Sequence, residues 1–400
     1  MQSIKNPGSG KSEFLVSDLV EISRREAGVA DASVLESPGL VALCRALENV
    51  SGELKLMGRR RTRKMILETL VKRLRLESYL EREPAIREIS ISSPIFLIAP
   101  FRTGSTLLHR LLAQDPGNRT PRLWETLQAP PAEPHYRCDK RYFELDDRVA
   151  AARQYMEARA RFAPMLAAIH PSDVDLPEEC FGLLETSMLS HSFMFHAPVT
   201  EYLDWLDDRN GDEWKSAYNV YADQLRLLQW WWPGERWVCK SGFHLWSVDA
   251  LCDIFPDAVI VQQHRSSVQC MASFCSLMEM AYRPILKRVD CHQIGQLALR
   301  YMSSALRRNA AARHRVGPHR FIDIDFRELT ASPVDCVRRV YDFAGLKLRK
   351  SVQRRMSDWL AAQSKVAKHD YELEKYGLSE EQVEAAFSSY SSLNKSASRD

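Results

Sequence analysis

Apolar positions recur at helical spacing through the first ninety residues. Leu19, Val20 and Ile22 give way to the breakers Pro38 and Gly39, after which Leu40, Leu43 and Leu47 return every three or four positions. Beyond Ser51, Met65, Leu67, Leu70, Val71 and Leu74 fall mostly on one helical face. Residues 81–88 are charged, contain Pro84 and read as a connector. The period then changes. Pro94-Ile-Phe-Leu-Ile-Ala is an apolar run of strand length, Gly104-Ser-Thr follows it, and Leu107, Leu108, Leu111 and Leu112 resume helical spacing. Helices are predicted over Tyr155–Phe162, Glu178–Phe195 and Trp214–Trp231. Trp237-Val-Cys-Lys, Ala258–Gln263 and Phe321–Phe326 read as further strands. Helices are expected over Leu245–Ile254, from about Ser267, and over Val334–Phe343 behind Pro333. Strands alternating with helices predict an α/β fold, a mostly parallel sheet with helices on both faces. The expected organisation is a helical N-terminal extension (1–90), a main domain (91–390) with a helical insert at about 142–230, and a frayed serine-rich tail (391–400).

Charge and composition narrow the partners. The 400 residues carry 55 Lys+Arg against 52 Asp+Glu, a net charge of +3, a poor footprint for a nucleic-acid polymer. No apolar run is long enough for a transmembrane segment, and the first residues hold no signal-like apolar stretch, so a cytoplasmic protein is expected. The nine cysteines form no CxxC and no zinc-like cluster, which predicts buried thiols and no metal. One local asymmetry stands out: Arg59, Arg60, Arg61, Arg63 and Lys64, followed by Lys72, Arg73 and Arg75. It reads as the solvated face of an amphipathic helix, with an anion- or membrane-facing patch as the alternative.

Three strand ends carry candidate chemistry. Gly8-Ser-Gly-Lys-Ser resembles the end of a Walker loop, but Lys5 stands where the first glycine belongs and no strand precedes it. The loop Arg102-Thr103-Gly104-Ser105-Thr106 is different, because it joins a strand to a helix. Helix N-termini present unpaired N–H groups and partial positive charge. Gly104 permits close backbone approach, Ser105 and Thr106 add hydroxyls, and Arg102 adds a cation suited to bidentate contacts. Arg265 follows the 258–263 strand, and Ser273 follows on the next predicted helix, where the pair can hold one phosphate from two sides. Lys240 ends the 237 strand, and that end faces the ligand crevice in open α/β sheets.

Together these segments carry a resemblance. APFRTGSTLLHRLL, RTPRLWE and WVCKSGFHLWSVDALCDIFPDAVIVQQHR with Ser273 resemble sulfotransferases that use 3′-phosphoadenosine 5′-phosphosulfate (PAPS), in the bacterial branch allied to tyrosylprotein sulfotransferases. Pro177-Glu-Glu-Cys, Tyr218–Trp230, Tyr341, His369-Asp-Tyr and Tyr376-Gly-Leu belong to the likeness, which spans roughly residues 94–390. It implies a P-loop nucleotide-kinase-like fold. Arg102, Thr103, Gly104, Ser105 and Thr106 would hold the 5′-phosphosulfate, Arg265 and Ser273 the 3′-phosphate, and Lys240 the bridging oxygen. Phe326 stands where relatives often place a tyrosine near the adenine, and Lys365, Lys368 and His369 would close over the nucleotide. Gly242 and Ser266-Ser267 depart from the prolines and aspartate of relatives, which predicts two looser turns.

Glu125, in Leu123-Trp-Glu, matches the base position of tyrosylprotein relatives, and shielding by Trp124 would raise its pKa. His109 is expected to pack, and His135 and His170 are less anchored alternatives. The expected activity is transfer of a sulfuryl group from PAPS to a hydroxyl, without a metal. A nucleotide-dependent kinase and a PAPS-binding scaffold with impaired catalysis are the competing readings. Phe162, Phe181, Met188, Phe193, Met194 and Phe195 favour an apolar small-molecule acceptor, if they line its pocket. Trp230-Trp-Trp-Pro suits either the core or a partner surface such as a homodimer contact.

Overall fold

The computed structural model describes residues 13–128, 130, 146–165, 172–363, 372–388 and 390. Five parallel strands form one sheet: β1 (Ile95–Ile98), β2 (Asn118–Arg119), β3 (Arg236–Lys240), β4 (Val259–His264) and β5 (Phe321–Asp325), in the order β2-β3-β1-β4-β5. All four β1 side chains are buried, as expected for a central strand covered on both faces. In register, Leu97 of β1 lies opposite Lys240 of β3 and Val261 of β4. The chain crosses from one side of β1 to the other between β3 and β4. The ends of these strands therefore flank the loop after β1, at a topological switch point.

Helices cover the sheet much as the periodicity predicts, including Ser105–Leu112, Ser267–Tyr282 and Pro333–Phe343. Strand β2 was not anticipated, since two residues carry no periodicity. The helix expected over Glu178–Phe195 is a correction. The segment breaks into the short helix Phe181–Leu184 and two 3-10 turns, with Met188 in the left-handed region at φ 58°. Its apolar side chains are buried between neighbouring elements rather than arranged on one face. Phe326 opens the helix Phe326–Ala331 rather than ending β5, because Asp325 caps it by accepting from the Arg327 amide.

The first three helices (Val16–Ala27, Pro38–Val50, Leu56–Arg82) share a continuous core with the sheet. Leu40, Leu47, Ile66 and Leu70 are buried in the same cluster as Phe96 and Cys239. Within the helix Leu56–Arg82, Lys72 is buried and donates to the carbonyls of Thr126 (3.1 Å) and Gly182 (3.3 Å). That helix thus reaches the walls of the site. The tryptophan run is used internally: Trp231 packs edge-on against Tyr79 and Trp232 lies beneath Arg122.

Candidate active site

Gly104 has φ 82°, and a Cβ there would come within 3.1 Å of the Phe326 ring. Arg102, a non-glycine residue, is also held at positive φ (70°), an outlier costing on the order of 1 kcal/mol. Thr103 is fully buried and donates to the Pro100 carbonyl at 3.1 Å, so its hydroxyl staples the turn. The next residues begin the helix Ser105–Leu112, whose first amides lack intrahelical acceptors. A glycine turn, backbone amides without intrahelical acceptors and the hydroxyl-bearing Ser105 and Thr106 thus meet at one helix start, a donor set that fits an anionic phosphate group.

The flanking strands contribute one cation each. Lys240 Nζ donates to Thr106 Oγ1 at 2.9 Å and pairs with Glu179 Oε1 at 2.7 Å, with the lysine only 3% exposed. Arg265 Nη1 donates to the Arg102 carbonyl at 2.7 Å, Nε donates to Gln269, and the guanidinium lies 4.1 Å above the Phe326 ring. Phe326 therefore carries Arg265, a role not anticipated for it. Ser273 is buried on the helix Ser267–Tyr282, and its neighbour Phe274 stacks on Phe101 at 4.6 Å. Arg265→Ala should weaken binding of adenosine 3′,5′-bisphosphate by about 1.5–3 kcal/mol, the worth of a charge-assisted contact. Calorimetric titration checks this, and unchanged affinity would remove Arg265 from the phosphate site.

Glu125 is placed differently from expectation. Beyond the shelter of Trp124, its carboxylate is gripped by Arg119 at 2.9 and 2.5 Å and accepts from the Arg122 amide at 2.9 Å. Arg119 and Glu125 are both about 5% exposed. A pairing between residues 121–122 and 177–178 brings this helix beside Pro177-Glu-Glu-Cys. Glu179, on the Lys240 ammonium, was not among the sequence candidates. The motif around it was visible, but nothing local linked it to Lys240. His109 packs as expected: its Nε2 contacts the Val238 carbonyl at 3.1 Å, and burial, then the Lys240 charge, pushes its pKa down to about 3. It is neutral at ordinary pH. Lys365, Lys368, His369, His135 and His170 lie outside the described residues.

The departure at Gly242 is built firmly. Ser241 accepts from the Phe243 amide at 3.2 Å, and a Cβ on Gly242 would meet the Ala99 carbonyl at 3.0 Å and the Phe101 ring at 3.2 Å. Glycine is what lets Phe101 close on this turn. Behind β4, His264 bonds Asp323 at 2.6 Å, and Arg313 clamps the same carboxylate. Burial would raise the Asp323 pKa, but Arg313 and His264 outweigh it and hold the group at about 2.

Residues 94–350 match the sulfotransferase family over more than half of the chain. This chain belongs to the sulfotransferase family. The sulfotransferase is 25% identical over 299 residues to the omega-hydroxy-beta-dihydromenaquinone-9 sulfotransferases Stf3 of Mycobacterium bovis and Mycobacterium tuberculosis. The match covers 72% of this chain and 71% of the relatives. Among solved structures it resembles sulfotransferase STF1 of M. tuberculosis (29% identity, TM-score 0.77, 94% of this chain and 99% of that one). It also resembles STF9 of Mycobacterium avium (26% identity, TM-score 0.81, 96% and 97%). It is an enzyme that requires a sulfate donor. Kinase chemistry finds no support. The loop lacks a Walker lysine, Asp323 is locked to Arg313 and Asp325 caps a helix. Among the described residues, no helix is long and apolar enough to cross a membrane.

Proposed function

We propose that this sulfotransferase takes PAPS as donor and sulfates the hydroxyl of an apolar small molecule. The observation that carries the reading is the Thr106–Lys240–Glu179 chain beside a cluster of phenylalanines. Phe101, Phe195, Phe243 and Phe274 meet with ring centroids 4.6–6.1 Å apart, and Phe101 and Phe195 are only half-buried. Phe101, in this apolar wall, directly precedes Arg102, the first residue of the loop. An acceptor with an apolar body and one hydroxyl, the class named for the Stf3 relatives, suits it better than a polysaccharide.

The donor, when bound, supplies a sulfuryl group on a phosphate leaving group. Arg102 and the loop amides would hold its 5′ end, and Arg265 and Ser273 its 3′-phosphate. Lys240 would turn from Glu179 to the oxygen on which negative charge collects. That movement releases the Glu179 carboxylate, which then accepts the proton of the acceptor hydroxyl as its oxygen bonds to sulfur and the sulfur–oxygen bond to phosphate breaks. We assign the base role to Glu179. Both oxygens of Glu125 are already bound, and we assign it to positioning Arg119 and the Leu123–Leu127 helix.

Adenosine 3′,5′-bisphosphate should raise the melting temperature while ATP with Mg²⁺ does not. Labelled sulfate should pass from PAPS to long-chain alcohols and phenols in preference to sugars and tyrosyl peptides. Stabilisation by ATP alone would overturn the donor assignment, preferential sulfation of sugars the acceptor assignment, and binding without turnover on any acceptor would favour a scaffold.

A further inference from the structure

The basic run at 59–64 of the Leu56–Arg82 helix has no part in the site, yet it follows directly on an exposed apolar tip. Leu56 and Met57 are 50% and 57% exposed in the first turn of that helix. Met57 and Arg61 are one turn apart, and the Arg61 guanidinium lies 5.1 Å above the Phe162 ring at the end of the helix Asp147–Phe162. Three residues further on, Met165 is 63% exposed. The exposed start of one helix and the end of a second thus meet through Arg61 and Phe162. Arg60 and Arg61 have no carboxylate partner among the described residues. On the other side, the Leu54–Leu286 bridge brings the exposed Lys287 and Arg288 alongside. Carboxylates nearby are weak counterweights: Glu13 meets Arg59 at 3.8 Å, Glu68 meets Lys64 at 3.6 Å and Glu157 meets Arg161 at 3.7 Å.

We propose that this tip docks on the surface of an anionic lipid bilayer. An apolar tip flanked by Arg60 and Arg61, which have no carboxylate partner among the described residues, is rewarded twice there, by insertion of side chains at the headgroup boundary and by attraction to lipid phosphates. An acidic protein or a nucleic acid rewards only the charges. Both helices of the tip also lead to the site. The helix Asp147–Phe162 starts where Arg148 lies 4.5 Å above the Trp124 ring, and its 16 residues span about 24 Å. The Leu56–Arg82 helix carries Lys72 to the Thr126 and Gly182 carbonyls. Thr62, beside Arg61, donates to the carbonyl of His196 at 3.1 Å, next to Phe195 of the apolar wall, so docking holds the acceptor side of the enzyme near the membrane, where an apolar alcohol resides. This deepens the acceptor reading above, on which its biological purpose rests.

The test is sedimentation of the full chain with phosphatidylglycerol–phosphatidylcholine vesicles and with phosphatidylcholine vesicles alone. Binding is expected to the anionic vesicles, to weaken with salt, and to fall about fivefold for each arginine replaced in Arg60→Gln and Arg61→Gln. The double variant Leu56→Glu/Met57→Glu should lose binding at least as far. If it fails to fold, the milder Leu56→Ala/Met57→Ala should still weaken binding. Turnover of a short, water-soluble alcohol should be unchanged in all of these variants, so docking is read apart from acceptor chemistry. Equal binding to both vesicle types, no binding, or tip variants that bind like the parent would overturn the proposal. Absence of turnover on every apolar acceptor, with vesicle binding intact, would instead remove the acceptor reading.

Discussion

Lys240→Ala is expected to lower kcat by about 10²–10³-fold, the usual loss when one pre-placed charge donor is removed from a developing anion. The lysine is nearly buried at the end of β3, and its ammonium is already aimed at the phosphate loop through Thr106. No rearrangement of the sheet is needed to bring it into use. Removing it also strands Glu179, so the alanine variant should lose stability as well, by up to about 3 kcal/mol, as when one partner of a buried pair is deleted. Lys240→Met keeps the packed stem and separates the effects. It should recover part of the stability and none of the rate. Lys240→Arg should not rescue either, because a forked guanidinium does not fit where a point charge meets a hydroxyl and a carboxylate. Single-turnover rates with saturating PAPS, alongside melting curves, make the measurement. A Lys240→Met enzyme with wild-type kcat would remove Lys240 from the chemistry.

Glu179→Gln and Glu125→Gln are expected to fail in different ways. Glu179→Gln should lower kcat by about 10²–10⁴-fold, the range of general-base catalysis, and abolish the acid limb of the pH–rate profile. Adenosine 3′,5′-bisphosphate should still bind, and no more weakly than before, because Lys240 no longer has a carboxylate competing for it. Glu125→Gln should instead destabilise the fold by about 3–5 kcal/mol, since it leaves the buried Arg119 guanidinium without its counter-ion. Its pH profile should keep the wild-type shape on whatever activity survives. If Glu125→Gln were stable, bound nucleotide normally and lost the acid limb, the base would be Glu125 after all. The two variants thus decide between a residue that moves a proton and one that holds a wall in place.

Other parts of the enzyme divide along the same line between local and distant interactions. The turn at Gly104, Ser105 and Thr106 was legible because a strand-to-helix turn is built by neighbours in sequence. The strand stops, the glycine turns, and the helix starts. The Pro333–Phe343 helix was legible from its proline and its period. Glu125 was legible as a position but not as an ion pair, because Arg119 reaches it from β2, a strand too short to leave a pattern. The Glu178–Phe195 segment was misread because burial from several sides produces the same density of apolar residues as one helical face. The basic run at 59–64 was legible as charge, but its nearness to Met57 and Phe162 on one exposed surface was not.

From the sequence alone came the alternation of strands and helices, the glycine turn between strand and helix and the cations Arg102, Lys240 and Arg265 at three strand ends. Those features follow from hydrophobic period, turn chemistry and charge placed beside a breaker, all local properties of the chain. Tertiary structure decided which carboxylate meets which cation. The order β2-β3-β1-β4-β5 puts β3 and β4 on either side of β1, so Lys240 and Arg265 meet the same loop. The pairing of residues 121–122 with 177–178 then delivers Glu179, not Glu125, to the lysine. Parallel strands join through long crossovers, and the contacts that complete a site at their ends are made between segments far apart in the chain, where no local pattern records them.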